Sequence, residues 1–346
     1  MRVAVFNGSG QPISIERLPQ PQPGGGEVLI EIGRCGISGS DIAMTSGSPF
    51  DYAPGCRLGH EYAGEVVELG AGVSTLRIGD LVAVMPKAGC GHCASCQAGR
   101  PLFCPTGPML FGGFGDCIVV PETAVYSLPS SLSLGDGALV EPMACGLRAL
   151  HLAGMRGGER ILVLGAGAMA LSVIFWARRL GAATITVASR SGRRREITMA
   201  MGADAFHDYS MDDPKELSAT IGGPPDIVAE CIGQPGMLDR AVDLVRISGT
   251  VLSMGMCVNP DPLVPARCAF KEVRMIFPVA YSVSEFEQTL REFDAATVRP
   301  EAMVSQIIDL KSLPNMVETL RGGHPHLKVH IDPRLDNEPE PESKNV

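Results

Sequence analysis

Four cysteines, Cys90, Cys93, Cys96 and Cys104, fall within fifteen residues, with two, two and seven residues between successive members. The run GCGHCASCQAGRPLFC constrains this chain more than any other stretch of it. Thiolates this close in sequence can converge on one tetrahedral zinc at about 2.3 Å. Gly89, Gly91 and Gly99 supply the turns that such convergence needs. A pair of disulfides is the competing reading, but cysteines two residues apart rarely bridge each other well. A closed four-sulfur site has no open coordination position, so it would hold a lobe of about residues 88–106 together without catalysing anything.

A chain of 346 residues is expected to form about two domains. Its net charge of -9 argues against a nucleic-acid partner, which would need a basic face. The remaining cysteines (Cys35, Cys56, Cys117, Cys145, Cys231, Cys257 and Cys268) show no pairing pattern, and the total of 11 is odd. Reduced thiols point to the cytoplasm. The N-terminus MRVAVFNGSG does not read as a signal peptide. Ile161–Ala177 carries no charge but is broken by Gly165 and Gly167. It falls short of the roughly twenty residues of a spanning helix, so it reads as a strand followed by a buried helix, and no membrane span is expected.

The texture changes near Glu159. Before it, short β-type runs (Glu27–Ile32, Tyr62–Leu69, Leu81–Met85 and Asp116–Val120) sit among glycines and prolines, as in a β-barrel or sandwich. After it, strands at Ile161–Leu164, Thr184–Ala188, Ile227–Glu230 and Thr250–Met254 alternate with helices at Met169–Leu180 and Arg193–Met201. That alternation predicts βαβ units and a parallel sheet. Helices at Ser284–Phe293 and Leu313–Leu320 and a strand at His326–Ile331 come next, and the polar tail 337–346 is expected to be disordered.

Gly165-Ala166-Gly167-Ala168-Met169-Ala170 lies between the first of those strands and its helix. This is the dinucleotide fingerprint with alanine in its third position. Gly165 permits the turn, and Gly167 lets a pyrophosphate approach the N-terminus of the helix that Ala168 and Met169 open. The end of the second strand selects the cofactor, because an acidic residue there would bind the ribose 2′-hydroxyl of NAD. This chain has Ser189-Arg190, then Arg193, Arg194 and Arg195. Arginines near a helix N-terminus oppose its partial positive charge, and a 2′-phosphate would justify them. NADP(H) is the expected cofactor; a solvated basic patch is the alternative.

Together with Gly59-His60-Glu61, Gly79-Asp80-Leu81-Val82, Glu141-Pro142 and Gly202-Ala203-Asp204, these features resemble the zinc-containing medium-chain alcohol dehydrogenases, particularly their sorbitol and threonine dehydrogenase branch. The resemblance implies an α/β protein with a GroES-like β-barrel catalytic domain over residues 1–148 and a doubly wound Rossmann domain over 149–280. Residues 281–336 would return to the catalytic domain. Substrate and nicotinamide would lie in the cleft between the domains, and a homodimer or homotetramer is implied.

The resemblance also implies a catalytic zinc on a cysteine, on His60 and on Glu141. The cysteine position reads Ser38, in Ser38-Gly39-Ser40-Asp41. A neutral hydroxyl is a poor substitute for a thiolate. Cys35, Cys56 or the carboxylate of Glu61 could compensate, although neighbours such as His60 and Glu61 point to opposite faces of a regular strand. Ser40 keeps the position of the hydroxyl that contacts the substrate oxygen, while Ala43 stands where the family often has a proton-relaying histidine. The leading expectation is an NADP(H)-dependent oxidoreductase moving hydride between nicotinamide and a small alcohol or carbonyl substrate. An NADPH-dependent alkene or imine reductase without the catalytic zinc is the alternative, with Ser38, Ser40, His60 or Tyr281 as donors. A non-enzymatic NADPH-binding protein is the third reading.

Overall fold

The computed structural model describes residues 1–48, 50–212, 216–295, 299–322 and 324–337. The chain forms two compact units, Met1–Glu141 with Val304–Val346, and Pro142–Met303. The tail from residue 338 onward lies outside the described residues.

The first unit is organised on one long strand, Glu27–Gly36, whose apolar residues are almost continuously buried. One edge pairs antiparallel with Glu61–Leu69 along its whole length. The other edge is shared: Cys117–Pro121 pairs with its first half, and Lys328–Ile331 pairs at Cys35 and Gly36. Register shifts at Leu29/Ile30 and Ile32/Arg34 mark bulges that bend the strand, as closure of a small barrel-like sheet requires. Val304–Ile308, Leu81–Val84 and Val125–Ser127 complete seven strands. Ile30, Ile32, Val66, Val82, Phe114, Ile118 and Ile331 fill the core beneath them.

The second unit is a six-stranded, fully parallel sheet. Its order is Ala205–Asp208, Thr184–Ser189, Arg160–Leu164, Ile227–Glu230, Thr250–Ser253, Arg274–Ile276. Numbered along the chain this is 3-2-1-4-5-6, the doubly wound arrangement in which ligands bind at the carboxyl ends of the strands where the order reverses. The central strands are buried on both faces and read as unbroken apolar runs, such as Ile161–Leu164.

The joins differ from those expected at 148/149 and 280/281. The first falls at Glu141/Pro142, inside the helix Leu134–Ala153. Pro142 has no N–H to give to the preceding turn. The carbonyl of Met143 accepts from Ser172 Oγ at 3.1 Å and Trp176 Nε1 at 2.7 Å, which ties the half of the helix after the proline to the helix Ala168–Arg179. The second join moves to Met303/Val304 because the helix Val283–Ala295 packs within the same unit. Its buried Glu285 accepts from His151 Nδ1 at 2.9 Å, and Phe293 meets Phe175 edge-on at 5.9 Å. Among the described residues no helix is long and apolar enough to cross a membrane.

His330, on the strand Lys328–Ile331, is completely buried, and among the described residues neither ring nitrogen has a hydrogen-bond partner. Burial first, then the charges of Lys328 and Arg34, push its pKa down to about 3. An unfolded histidine titrates near 6.5, so between these values the unfolded chain binds the extra proton and stability falls as pH falls. The limiting slope from this residue is about 1.4 kcal/mol per pH unit. Urea unfolding at pH 7, 6 and 5 is expected to show His330→Leu losing less stability than the parent chain, by about 0.7 kcal/mol from pH 7 to 6 and about 1.2 kcal/mol from pH 6 to 5. Parallel slopes for the two proteins would refute the assignment.

Candidate active site and cofactor loop

In the cysteine run, a short helix Ala94–Gln97 begins on Cys93, and a 3₁₀ turn Pro101–Phe103 leads into Cys104. One sulfur from each of Cys90, Cys93, Cys96 and Cys104 lies within 4.8 Å of all the others. Cys90 Sγ and Cys96 Sγ are 4.0 Å apart. A tetrahedral zinc with arms of about 2.3 Å has sulfur–sulfur edges of about 3.8 Å, so the cluster fits that ion with little adjustment. The amides of Cys90 and Gly107 donate to Cys104 Sγ at 3.3 and 3.2 Å, and the amide of Cys93 donates to Cys90 Sγ at 3.4 Å. Such bonds favour the thiolate, and they hold Cys104 down at about 5, the Cys90 amide contributing most. None of the 11 cysteines is in a disulfide, so the bridged reading of this run does not hold.

A second group of donors forms in the same unit. The helix Gly39–Ala43 starts on Ser38, whose Oγ accepts the Ser40 amide at 3.3 Å and the Ser40 hydroxyl at 3.0 Å. Asp41 Oδ2 accepts the Ser38 amide at 2.9 Å, closing a reciprocal capping box. Both lone pairs of Ser38 Oγ are therefore used inside the turn. Only its proton is left to offer, so its oxygen has no lone pair free for a metal.

His60 and Glu61 do converge, contrary to what a regular strand would allow. Strand pairing begins only at Glu61, and Gly59 precedes it with φ of +89°. A Cβ on Gly59 would sit 2.5 Å from the Phe114 amide nitrogen, so only glycine makes this turn. Glu141 comes from the interior of Leu134–Ala153, not from a helix cap. One donor atom from each of His60, Glu61 and Glu141 lies within 4.8 Å of the other two. Cys35 is buried at the back, touching the Gly36 carbonyl, and Cys56 donates to its neighbour's carbonyl at 3.1 Å; neither joins the group.

Two of the three donors face a protein charge. His60 Nδ1 faces Asp41 Oδ1 at 3.4 Å, which leaves Nε2 toward Ser40 Oγ, 3.4 Å away. Burial opposes protonation of His60, yet Asp41 first and then Glu141 and Glu61 raise its pKa to about 9. Glu61 is ion-paired with Lys328, and both side chains are almost fully buried. The Lys328 ammonium also donates to the Ile37 carbonyl at 3.1 Å. One imidazole and two carboxylates suit a divalent metal, although the set lacks a soft donor.

Two aromatic residues that sequence reasoning did not single out line this group. Phe111 packs edge-on against His60 at 5.9 Å, and Tyr52 against Phe111 at 5.3 Å. The amides of Gly112 and Gly113 both donate to the Gly59 carbonyl, at 3.1 and 3.0 Å, so the turn that aims His60 also seats Phe111. Burial first, and then Asp41, push the Tyr52 phenol well up. Tyr281 lies in the other unit, buried against Phe286.

In the second unit the strand Arg160–Leu164 runs into Gly165, with φ of +101°, and Gly167 caps the helix Ala168–Arg179 without a side-chain bond. The first amides of that helix, at Ala168 and Met169, are thus free of intrahelical partners, the usual anion cradle. Arg194 Nη1 donates to the Ala166 carbonyl at 3.2 Å, so its guanidinium rests on this loop. Ser189 ends the second strand, and Arg190 beside it is exposed. The arginines do not act as one set. Arg195 is spent on the fold, with its guanidinium 4.9 Å over the Phe206 ring and bonded to the Phe206 carbonyl. Glu230, which ends the fourth strand, was also missed. Its buried carboxylate accepts the amides of Ile232 and Gly233 at 2.6 and 2.8 Å and so shapes the turn facing Gly165.

Residues 24–130 match the alcohol dehydrogenase GroES-like domain family, and residues 168–295 match the zinc-binding dehydrogenase family. The chain is 34% identical to a sorbitol dehydrogenase of Bacillus subtilis, over 74% of this chain and 75% of that one. It is 30% identical to the sorbitol dehydrogenase of Bos taurus, over 96% and 97%. A putative zinc-binding dehydrogenase from Sinorhizobium meliloti, solved bound to NADP, superimposes with a TM-score of 0.87 at 27% identity, covering 96% of this chain and 99% of that one. With the doubly wound sheet, the four-sulfur lobe and these matches together, the chain belongs to the zinc-containing medium-chain alcohol dehydrogenase family of oxidoreductases.

Proposed function

We propose that this protein is an NADP(H)-dependent dehydrogenase that interconverts a small alcohol and its carbonyl compound. The observation that carries this reading is the convergence of His60, Glu61 and Glu141 beside the Ser40 hydroxyl. A metal bound on those three residues supplies a Lewis acid for the substrate oxygen. Asp41 Oδ1 faces His60 Nδ1 at 3.4 Å, so Nε2 would be the nitrogen offered to a metal. Ser40 would accept the alcohol proton as its own moves along the existing 3.0 Å bond to Ser38 Oγ, and the half-buried Ser38 hydroxyl would release its proton to water. In this chain a serine pair thus takes the place of the relay histidine that Ala43 replaces. Zinc in the four-cysteine lobe keeps a structural role.

NADP(H) is supported by a strand end that carries Ser189-Arg190 where NAD binding calls for an acid, and by Arg194 over the glycine loop. The NADP-bound relative from Sinorhizobium meliloti is in keeping with that. A reductase of activated alkenes or imines, working without the second metal, is the competing reading. It is favoured by the commitment of Ser38 to its cap and of Glu61 to Lys328. We also propose a homo-oligomer: Arg274–Ile276 is a sheet edge flanked by Phe270 and Phe277, which are 87% and 63% exposed.

Three measurements test these statements. Arg190→Ala is expected to raise KM for NADPH at least tenfold and leave KM for NADH within about twofold, since only the phosphate contact is removed. Equal changes for both cofactors would point to a structural role instead. Ser40→Ala is expected to lower kcat about a hundredfold or more with NADPH affinity intact; unchanged turnover would eliminate the relay. Light scattering of the eluted protein should give a mass of two or four chains, and Phe277→Glu should reduce it. A parent chain that elutes as a monomer would rule out the oligomer.

A further inference from the structure

The donor set around His60 contains no sulfur. Ser38 Oγ has both lone pairs engaged by Ser40, and Cys35 and Cys56 stand outside the group. What remains is one imidazole, with Asp41 behind it, and the carboxylates of Glu61 and Glu141. Thiolate is the donor type that selects zinc; carboxylate oxygens suit harder cations, and imidazole accepts most divalent first-row metals. The same chain gathers four thiolates around one point in the cysteine lobe, with 4.0 Å between Cys90 and Cys96. The two sites therefore differ clearly in softness, four sulfurs against one nitrogen and two carboxylates.

A second observation bears on how tightly a cation is held. Lys328 is 4% exposed, donates to the Ile37 carbonyl at 3.1 Å, and is ion-paired with Glu61. Its ammonium thus stands on one of the three donors. A metal that uses Glu61 must share that carboxylate with a fixed positive charge or displace it. Binding is weakened, and exchange with metals in solution becomes easy.

We propose that the His60–Glu61–Glu141 site is a nitrogen–oxygen site for a harder divalent cation of the Mn²⁺ class, in competition with Lys328. The protein then carries two different metals, with zinc confined to the cysteine lobe. The location rests on the dehydrogenase reading; the choice of metal rests on the donors alone.

The test uses the full-length protein, dialysed against a mild chelator until one zinc per chain remains. MnCl₂ is then titrated in, and free Mn²⁺ is read from its six-line paramagnetic resonance signal. One Mn²⁺ per chain is expected to bind, and at least tenfold more weakly in Glu141→Gln and in His60→Ala. Retained NADPH binding establishes that each variant is folded. Lys328→Met should bind Mn²⁺ at least threefold more tightly, and its failure to do so would overturn the competition. In competition with ZnCl₂, Ser38→Cys is expected to prefer zinc over Mn²⁺ at least a hundredfold more than the parent chain does. No Mn²⁺ binding, binding indifferent to His60 and Glu141, or an equal zinc preference in Ser38→Cys would each overturn the proposal. Turnover separates the two readings. A protein that binds Mn²⁺ but reduces no carbonyl compound refutes the dehydrogenase assignment and leaves the site standing. One that turns over with zinc alone does the reverse.

Discussion

The carboxylate of Asp41 joins the local fold to the chemistry. One oxygen closes the capping box with the Ser38 amide, and the other faces His60 Nδ1 at 3.4 Å. A single buried side chain therefore starts the helix Gly39–Ala43 and decides which imidazole nitrogen is presented. The arrangement works only because the chain turns at Gly59, and that turn is clamped from the other side by the amides of Gly112 and Gly113. Three sequence-distant segments thus meet around His60. The core of the barrel-like sheet reaches these segments through Ile37, Leu58 and Phe114, so the position of the imidazole is tied to its packing.

The two donor clusters obey different physics. In the cysteine lobe the sulfurs face one another, and backbone amides are the main partners that offset thiolate charge. An ion is the natural completion of such a lobe, because its small loops bury little apolar surface of their own. Around His60 two of the donors stand beside protein charges, His60 Nδ1 facing Asp41 at 3.4 Å and Glu61 ion-paired with Lys328. A buried ion pair such as Glu61–Lys328 is costly to desolvate and adds little net stability. It does hold the carboxylate in place, so the pocket keeps its geometry without help from a metal.

Much of this was legible in the sequence where a pattern is local. The strands Ile161–Leu164 and Ile227–Glu230 stand out as short apolar runs, and the glycine fingerprint fixes the turn and helix after the first. The four-cysteine spacing carried its own geometry. The short sheet edges Ala205–Asp208 and Arg274–Ile276 were not seen, since each is three or four residues of mixed polarity held by its neighbour. The helix Leu134–Ala153 was hidden by Pro142, which normally ends a helix; here Ser172 and Trp176 hold the segment after the proline through the Met143 carbonyl. At the site, His60, Glu61 and Glu141 came from family likeness, not spacing, because their convergence depends on a backbone turn and a distant helix. Tyr52, Phe111 and Glu230 left no signal, being placed by contacts between loops. The arginine cluster read as one feature, yet only the three-dimensional arrangement separates Arg195, packed on Phe206, from Arg190 in solvent.

Position 38 shows why the loss of a thiolate need not be neutral decay. Serine is among the strongest N-cap residues, and replacing such a cap costs about 1 kcal/mol. Its hydroxyl accepts two bonds from Ser40 and so fixes the one side chain poised 3.4 Å from His60 Nε2. A cysteine there would offer a soft ligand but only a weak acceptor for the helix amides. It would also leave the Ser40 hydroxyl without a good oxygen to donate to. Metal softness and hydroxyl alignment therefore draw on the same atom, and they cannot both be maximised. In this chain that atom is oxygen, and it serves the cap and the serine pair.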